Sequence, residues 1–115
     1  MNKSLTATLK YATLSEKKIA VVAKMIQWKP VDEVLVYLQF LPKKAAKVLW
    51  KLVKAASSNA EHNLNLKKEN LVVKTVDVGR GPKIKRVRAV WRSRMHWYIK
   101  HRSFVRVVLD TVTAK

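Results

Sequence analysis

The sequence predicts an α+β fold, on three observations. The chain begins with polar–apolar alternation, continues through three stretches with apolar residues at helical spacing, and returns to β-rich segments near its end. At 115 residues it is the length of one domain, and 49% apolar residues argue against disorder throughout.

From Ser4 to Tyr11 the residues alternate, with Leu5, Ala7, Leu9 and Tyr11 on one face, which is the pattern of a half-buried strand. Ser15 then has the character of a helix N-cap, with Glu16 at the positive helix end. Ile19, Val22, Ala23 and Ile26 form an apolar stripe, and Lys17, Lys18 and Lys24 fall mostly off it. Pro30 disfavours helical geometry at Lys29, so this helix should stop near Trp28. A second helix is expected from about Val31 to Leu41, with Asp32 and Glu33 in its first turn and Val34, Leu35, Leu38 and Leu41 facing inward. Pro42 suits the first turn of a third helix. Its stripe is Ala45, Val48, Leu49, Leu52, Val53, Ala56 and Ala60. Lys43, Lys44, Lys47, Lys51 and Lys54 lie opposite. Leu71–Val78 and Ser103–Leu109 are β-rich. Between them Gly79–Arg102 is too long for an ordinary connection, so it is functional, disordered when free, or an extended hairpin. The last residues have the character of a frayed terminus.

Charge is the strongest functional signal. Lys and Arg number 25 against 7 acids, a formal net charge of +18. Such self-repulsion calls for a polyanion, and binding to phosphates would fall steeply with salt. The charge is concentrated. Arg80, Lys83, Lys85, Arg86, Arg88, Arg92, Arg94, Lys100, Arg102 and Arg106 follow one another with no acid between Asp77 and Asp110. Arginine dominates here, and guanidinium grips phosphate bidentately and stacks on bases. Trp91, Trp97, Tyr98 and Phe104 are interleaved with these cations, as stacking on irregular RNA requires. The same residues could instead be a solvated loop, and Trp91 and Trp97 could be core. The lysines of the third helix could serve solubility alone.

Other chemistry has little support. Without cysteine there is no disulfide, thiolate metal site or Cys nucleophile. His62, His96 and His101 lack metal-ligand spacing, so no metal or cofactor is expected; Glu61 and His62 could hydrogen-bond the end of the third helix. The seven carboxylates are scattered, with no nucleophile motif or Gly-rich phosphate loop, so no catalytic residue and no enzyme is expected. The first residues lack a signal-peptide core. No apolar run reaches the ~20 residues of a membrane-spanning helix.

The run Ser57–Asn63 (SSNAEHN), closing a helix headed by Lys43–Ala46 (KKAA), resembles the family of large ribosomal subunit protein twenty-two. Val76-Asp77, Gly81-Pro82, Lys85-Arg86, Arg88-Ala89 and Ile99–Val108 follow that family's order. The chain departs from it at Val87, where a proline is usual, near Val90-Trp91, where a glycine is missing, and near Trp28, where a glycine after the first helix is replaced.

The resemblance implies one domain over 1–115, with three helices packed on a small antiparallel three-stranded sheet and a long protruding basic β-hairpin at about 79–102. It implies a structural constituent of the large ribosomal subunit that supports its assembly, with large-subunit ribosomal RNA, neighbouring large-subunit proteins and the nascent peptide as partners, and no membrane. The hairpin would thread through the RNA and line the nascent-peptide exit tunnel, with Lys83, Lys85, Arg86 and Arg88 at or near its tip. Arg92, Arg94, Lys100 and Arg102 would fall on the returning arm. Expected RNA contacts are these residues with Lys17, Lys18, Lys43, Lys44, Arg80 and Trp91. The expected location is the ribosome, with the cytoplasm of a bacterium preferred over mitochondrion or plastid. The rivals are a generic basic nucleic-acid-binding or RNA chaperone protein, and a basic peptide acting on anionic membranes.

Overall fold

The computed structural model describes residues 5–111; Ser4, where the first strand is expected to begin, and the expected frayed end lie outside the described residues. Strand β1 spans Thr6–Ala12, and helices α1, α2 and α3 span Glu16–Ile26, Val31–Phe40 and Lys44–Leu64. A 3-10 turn, Lys68–Asn70, leads into β2, Leu71–Val90, and β3 spans Arg94–Thr111. The sheet order is β1-β3-β2, antiparallel throughout. The α+β expectation holds, and the segment between the two β-rich runs is an extended hairpin.

The core forms where three helical stripes meet one sheet face. Ile19, Val22 and Ile26 of α1, Val34 and Leu38 of α2, and Leu49 and Val53 of α3 are buried against Leu71, Val73, Val105, Val107 and Leu109. Ala45, Ala46, Ala56 and Ala60 are also buried on α3, whose small residues let its backbone approach its neighbours. The central strand is β3, which explains its run of β-branched apolar residues.

Local chemistry departs from expectation at several joints. Ser15 occupies the N-cap position of α1 in extended conformation but makes no side-chain cap hydrogen bond. Glu16 turns instead to Arg80, its Oε1 accepting from Nε at 2.8 Å. Pro42 precedes the Lys43 N-cap of α3 and so lies outside the first turn. The end of α3 is closed by backbone and not by Glu61 or His62, both exposed: Asn65 takes a left-handed conformation (φ 53°) and its N–H donates to the Ala60 carbonyl.

The α1–α2 connection is pinned to β2. Trp28 N–H donates to the Val73 carbonyl at 2.6 Å, and Val73 N–H donates to the Lys29 carbonyl at 3.0 Å. Trp28 adopts φ 66°, a left-handed geometry that glycine takes without Cβ strain.

Two β-bulges on β2 shape the hairpin. Lys74 is one extra residue opposite Leu109 and Val108; Gly81 and Pro82 together stand opposite Arg102 alone. A Cβ on Gly81 would lie 2.9 Å from the Arg102 carbonyl carbon and 3.0 Å from Ser103 N, so the bulge closes only around a glycine. The next two pairs, Lys83↔His101 and Ile84↔Lys100, still share clefts with α1, and the ribbon projects onward from there. The radius of gyration is 17.2 Å, against ~13 Å for a compact chain of this length. The longest extent is 68 Å against 26 and 20 Å.

Candidate nucleic-acid interface

The expected cations fall into two groups, one around the first turn of α1 and one along the free ribbon. Around α1 the fold gathers residues distant in sequence. Lys17, Arg80, Lys83 and Arg102 line one cleft of about 340 Å³ together with Ser15, Glu16, Gly81 and His101. Lys18, Lys100, His101 and Arg102 line a second. Lys17 and Lys18 meet Lys43 and Lys44 in a third. Eight of the expected contacts are thereby brought to one neighbourhood at the hairpin root, with Lys17, Lys18 and Arg102 shared between clefts. At the root Arg80 pairs with Glu16, and across β2 and β3 Arg106 pairs with Asp77 at 2.9 Å.

His101 was missed by sequence reasoning. It lines two of these clefts. Its place between Lys100 and Arg102 in the basic run is the signal the sequence carries. Among the described residues no group of three His, Asp or Glu could hold a metal ion, and no described helix is long and apolar enough to cross a membrane.

Beyond the bulge the ribbon has two different faces. Alternation puts Ile84/Lys100, Arg86/Tyr98, Arg88/His96 and Val90/Arg94 on one side. The other side carries Lys83/His101, Lys85/Ile99, Val87/Trp97 and Ala89/Met95. The first face is cationic. The second is largely apolar and continues the side of β3 that packs the core through Ser103, Val105, Val107 and Leu109. Trp97 is 74% exposed there, which overturns the core reading for it.

The turn is Trp91, Arg92 and Ser93, after the pair Val90↔Arg94. Arg92 and Ser93 take φ 58° and 56°, supplying without glycine the left-handed geometry a tight hairpin needs. The Arg92 guanidinium carbon lies 4.4 Å from the centre of the Trp91 ring, a cation–π contact on a side chain 75% exposed. Arg92 therefore sits in the turn and not on the returning arm. Lys83, Lys85, Arg86 and Arg88 lie along β2, Arg88 nearest the turn and Lys83 beside the bulge. Arg94, Lys100 and Arg102 are on β3 as expected.

Sequence comparison decides the family. The profile of the family described as ribosomal protein L22p/L17e matches residues 7–110. The chain belongs to that family. It is 39% identical over 107 residues to large ribosomal subunit protein uL22 of Caldicellulosiruptor saccharolyticus, covering 93% of this chain and 88% of that one. It is 38% identical to the protein of that name from Herpetosiphon aurantiacus, over 90% of this chain and 92% of the other. To large ribosomal subunit protein uL22c of Phaeodactylum tricornutum it is 34% identical, over 96% of each. The resemblance carried by the Asn59–Asn63 run thus extends along the chain. Family membership makes this a structural ribosomal protein and not an enzyme.

Proposed function

We propose that the chain is a structural constituent of the large ribosomal subunit that binds large-subunit ribosomal RNA, supports assembly, and lays its hairpin in the wall of the nascent-peptide exit tunnel. The observation that carries this reading is the two-faced, acid-free ribbon reaching beyond the core. Residues 91–100 are all exposed. A two-stranded ribbon with no core of its own is marginally stable in water. RNA would supply what is missing: phosphates for Arg86, Arg88 and Arg94 on one side, and bases to stack on Trp97 on the other. The basic clefts at the root would hold a second RNA segment, with Lys17, Lys18, Lys43, Lys44 and Arg80 on its phosphates. Two RNA regions held by one chain that orders on binding are pinned relative to each other, which is how such a protein assists assembly.

In this reading Trp91 and Arg92 face the nascent peptide, while Lys83, Lys85, Arg86 and Arg88 contact RNA on the way to the tip. A bacterial cytoplasm fits the relatives from Caldicellulosiruptor saccharolyticus and Herpetosiphon aurantiacus.

The test is sedimentation of tagged full-length chain from cell extract through a sucrose gradient, before and after a high-salt wash. Co-migration with large subunits that survives the wash is expected; protein left at the top of the gradient would sink the reading. For the tunnel, a photo-crosslinker at Trp91 should capture a stalled, labelled nascent chain. Capture of RNA alone would remove the tunnel assignment.

A further inference from the structure

Helix α2 contains none of the 25 Lys and Arg residues, whereas every other helix and strand carries some: Lys10 in β1, Lys17 in α1, Lys44 in α3, Lys74 in β2 and Arg94 in β3. Its outward side instead holds Asp32 and Glu33 followed by Val36, Tyr37 and Phe40, a single stripe at helical spacing. Val36 is 57% and Phe40 77% exposed. The first four of these residues line one shallow depression. Tyr37 is held from behind, its hydroxyl donating to Met25 Sδ at 3.4 Å while Lys29 Nζ stands 5.6 Å from its ring centre. Among the described residues the carboxylates in ion pairs are Glu16 and Asp77; Asp32 and Glu33 have no such partner.

This surface is the wrong chemistry for RNA. Two unpaired carboxylates repel phosphate, and the stripe carries no cation of its own, Lys29 being placed over the Tyr37 ring. Exposed valine, tyrosine and phenylalanine gain by leaving water, and the carboxylates gain by meeting Lys or Arg. We infer that the outer face of α2 docks a basic, apolar-bearing segment of a neighbouring protein, so that RNA and protein contacts are segregated on this molecule. The apolar side chains of that segment cover Val36, Tyr37 and Phe40, and its cations reach Asp32 and Glu33. The inference rests on the ribosomal reading, because the assembled subunit is what brings such a neighbour against α2.

The experiment places p-benzoylphenylalanine at Val36 or Phe40 of the full-length chain, purifies large subunits containing it, and irradiates them. The expected product is a crosslink to a subunit protein within a Lys/Arg-rich peptide, identified by mass spectrometry. The same probe at Arg88 should crosslink to RNA. The double variant Asp32→Asn/Glu33→Gln, which keeps side-chain size, should lower the protein crosslink roughly threefold through two exposed ion pairs. Crosslinks from Val36 and Phe40 to RNA, no crosslink at all, or a yield indifferent to the double variant would overturn the inference while leaving subunit association intact. A chain that does not enter large subunits would sink the ribosomal reading itself, and this inference with it.

Discussion

Arg80 Nε donates to Glu16 Oε1 at 2.8 Å, joining the last β2 residue before the bulge to the first residue of α1. The pair links the hairpin root to the helix around which the basic clefts gather. Arg80 is 75% exposed on its side chain, so the pair contributes little to global stability. Its effect should be local. Glu16→Gln is expected to change stability by less than about 1 kcal/mol, while amide exchange at Arg80 and Lys83 quickens. Unchanged exchange there would show that the pair does not brace the root.

Gly81→Ala should be more costly. The new Cβ meets backbone atoms of Arg102 and Ser103 at 2.9–3.0 Å, and backbone cannot rotate aside. A loss of about 1–3 kcal/mol is expected, read as a lowered unfolding midpoint. An alanine variant as stable as the parent would mean that the bulge relaxes freely.

Trp28→Gly should have the opposite sign. The tryptophan is 66% exposed and its φ is 66°. Glycine removes a left-handed penalty of about 1–2 kcal/mol but adds unfolded-chain entropy. The expected net gain is up to about 1 kcal/mol, measured by denaturant titration. A clear loss would show that the indole packs usefully despite its exposure.

Leu49 is fully buried on α3 amid the helical stripes and the sheet. Leu49→Ala should lower stability by about 2–5 kcal/mol, the largest effect among these variants, by thermal or denaturant unfolding.

Arg86 and Arg88 share the cationic ribbon face. The double variant Arg86→Ala/Arg88→Ala should weaken binding to a large-subunit RNA fragment and reduce the slope of log affinity against log salt by roughly 1 to 2. Weaker binding at unchanged slope would mean that these side chains act by stacking instead of on phosphate.

Much of this molecule is legible from local pattern. Helical stripes such as Ile19–Val22–Ile26 and Leu49–Leu52–Val53–Ala56 are buried as their spacing requires. The concentration of cations between Arg80 and Arg106, free of acid, is visible without any coordinates. The Asn59–Asn63 run points to the family whose profile matches residues 7–110. The strands run past the expected limits at Val78 and Ser103, to Val90 and from Arg94, and those ends were not legible. Arg86, Arg88 and Lys100 do not read as strand by composition, and they are extended because each pairs with a residue across the ribbon.

By itself, then, the sequence determined which elements form, their order, and the sign and concentration of charge, because periodicity and composition are properties of neighbouring residues. Only the tertiary structure decided that Lys17, Lys43 and Arg102 share one neighbourhood, that Trp97 stands on the apolar ribbon face, and that the turn falls at Trp91–Ser93. The first depends on helix packing as well, and the other two on strand register. The extra residue at Gly81-Pro82 shifts every later pairing by one, and a one-residue slip in a strand exchanges its two faces.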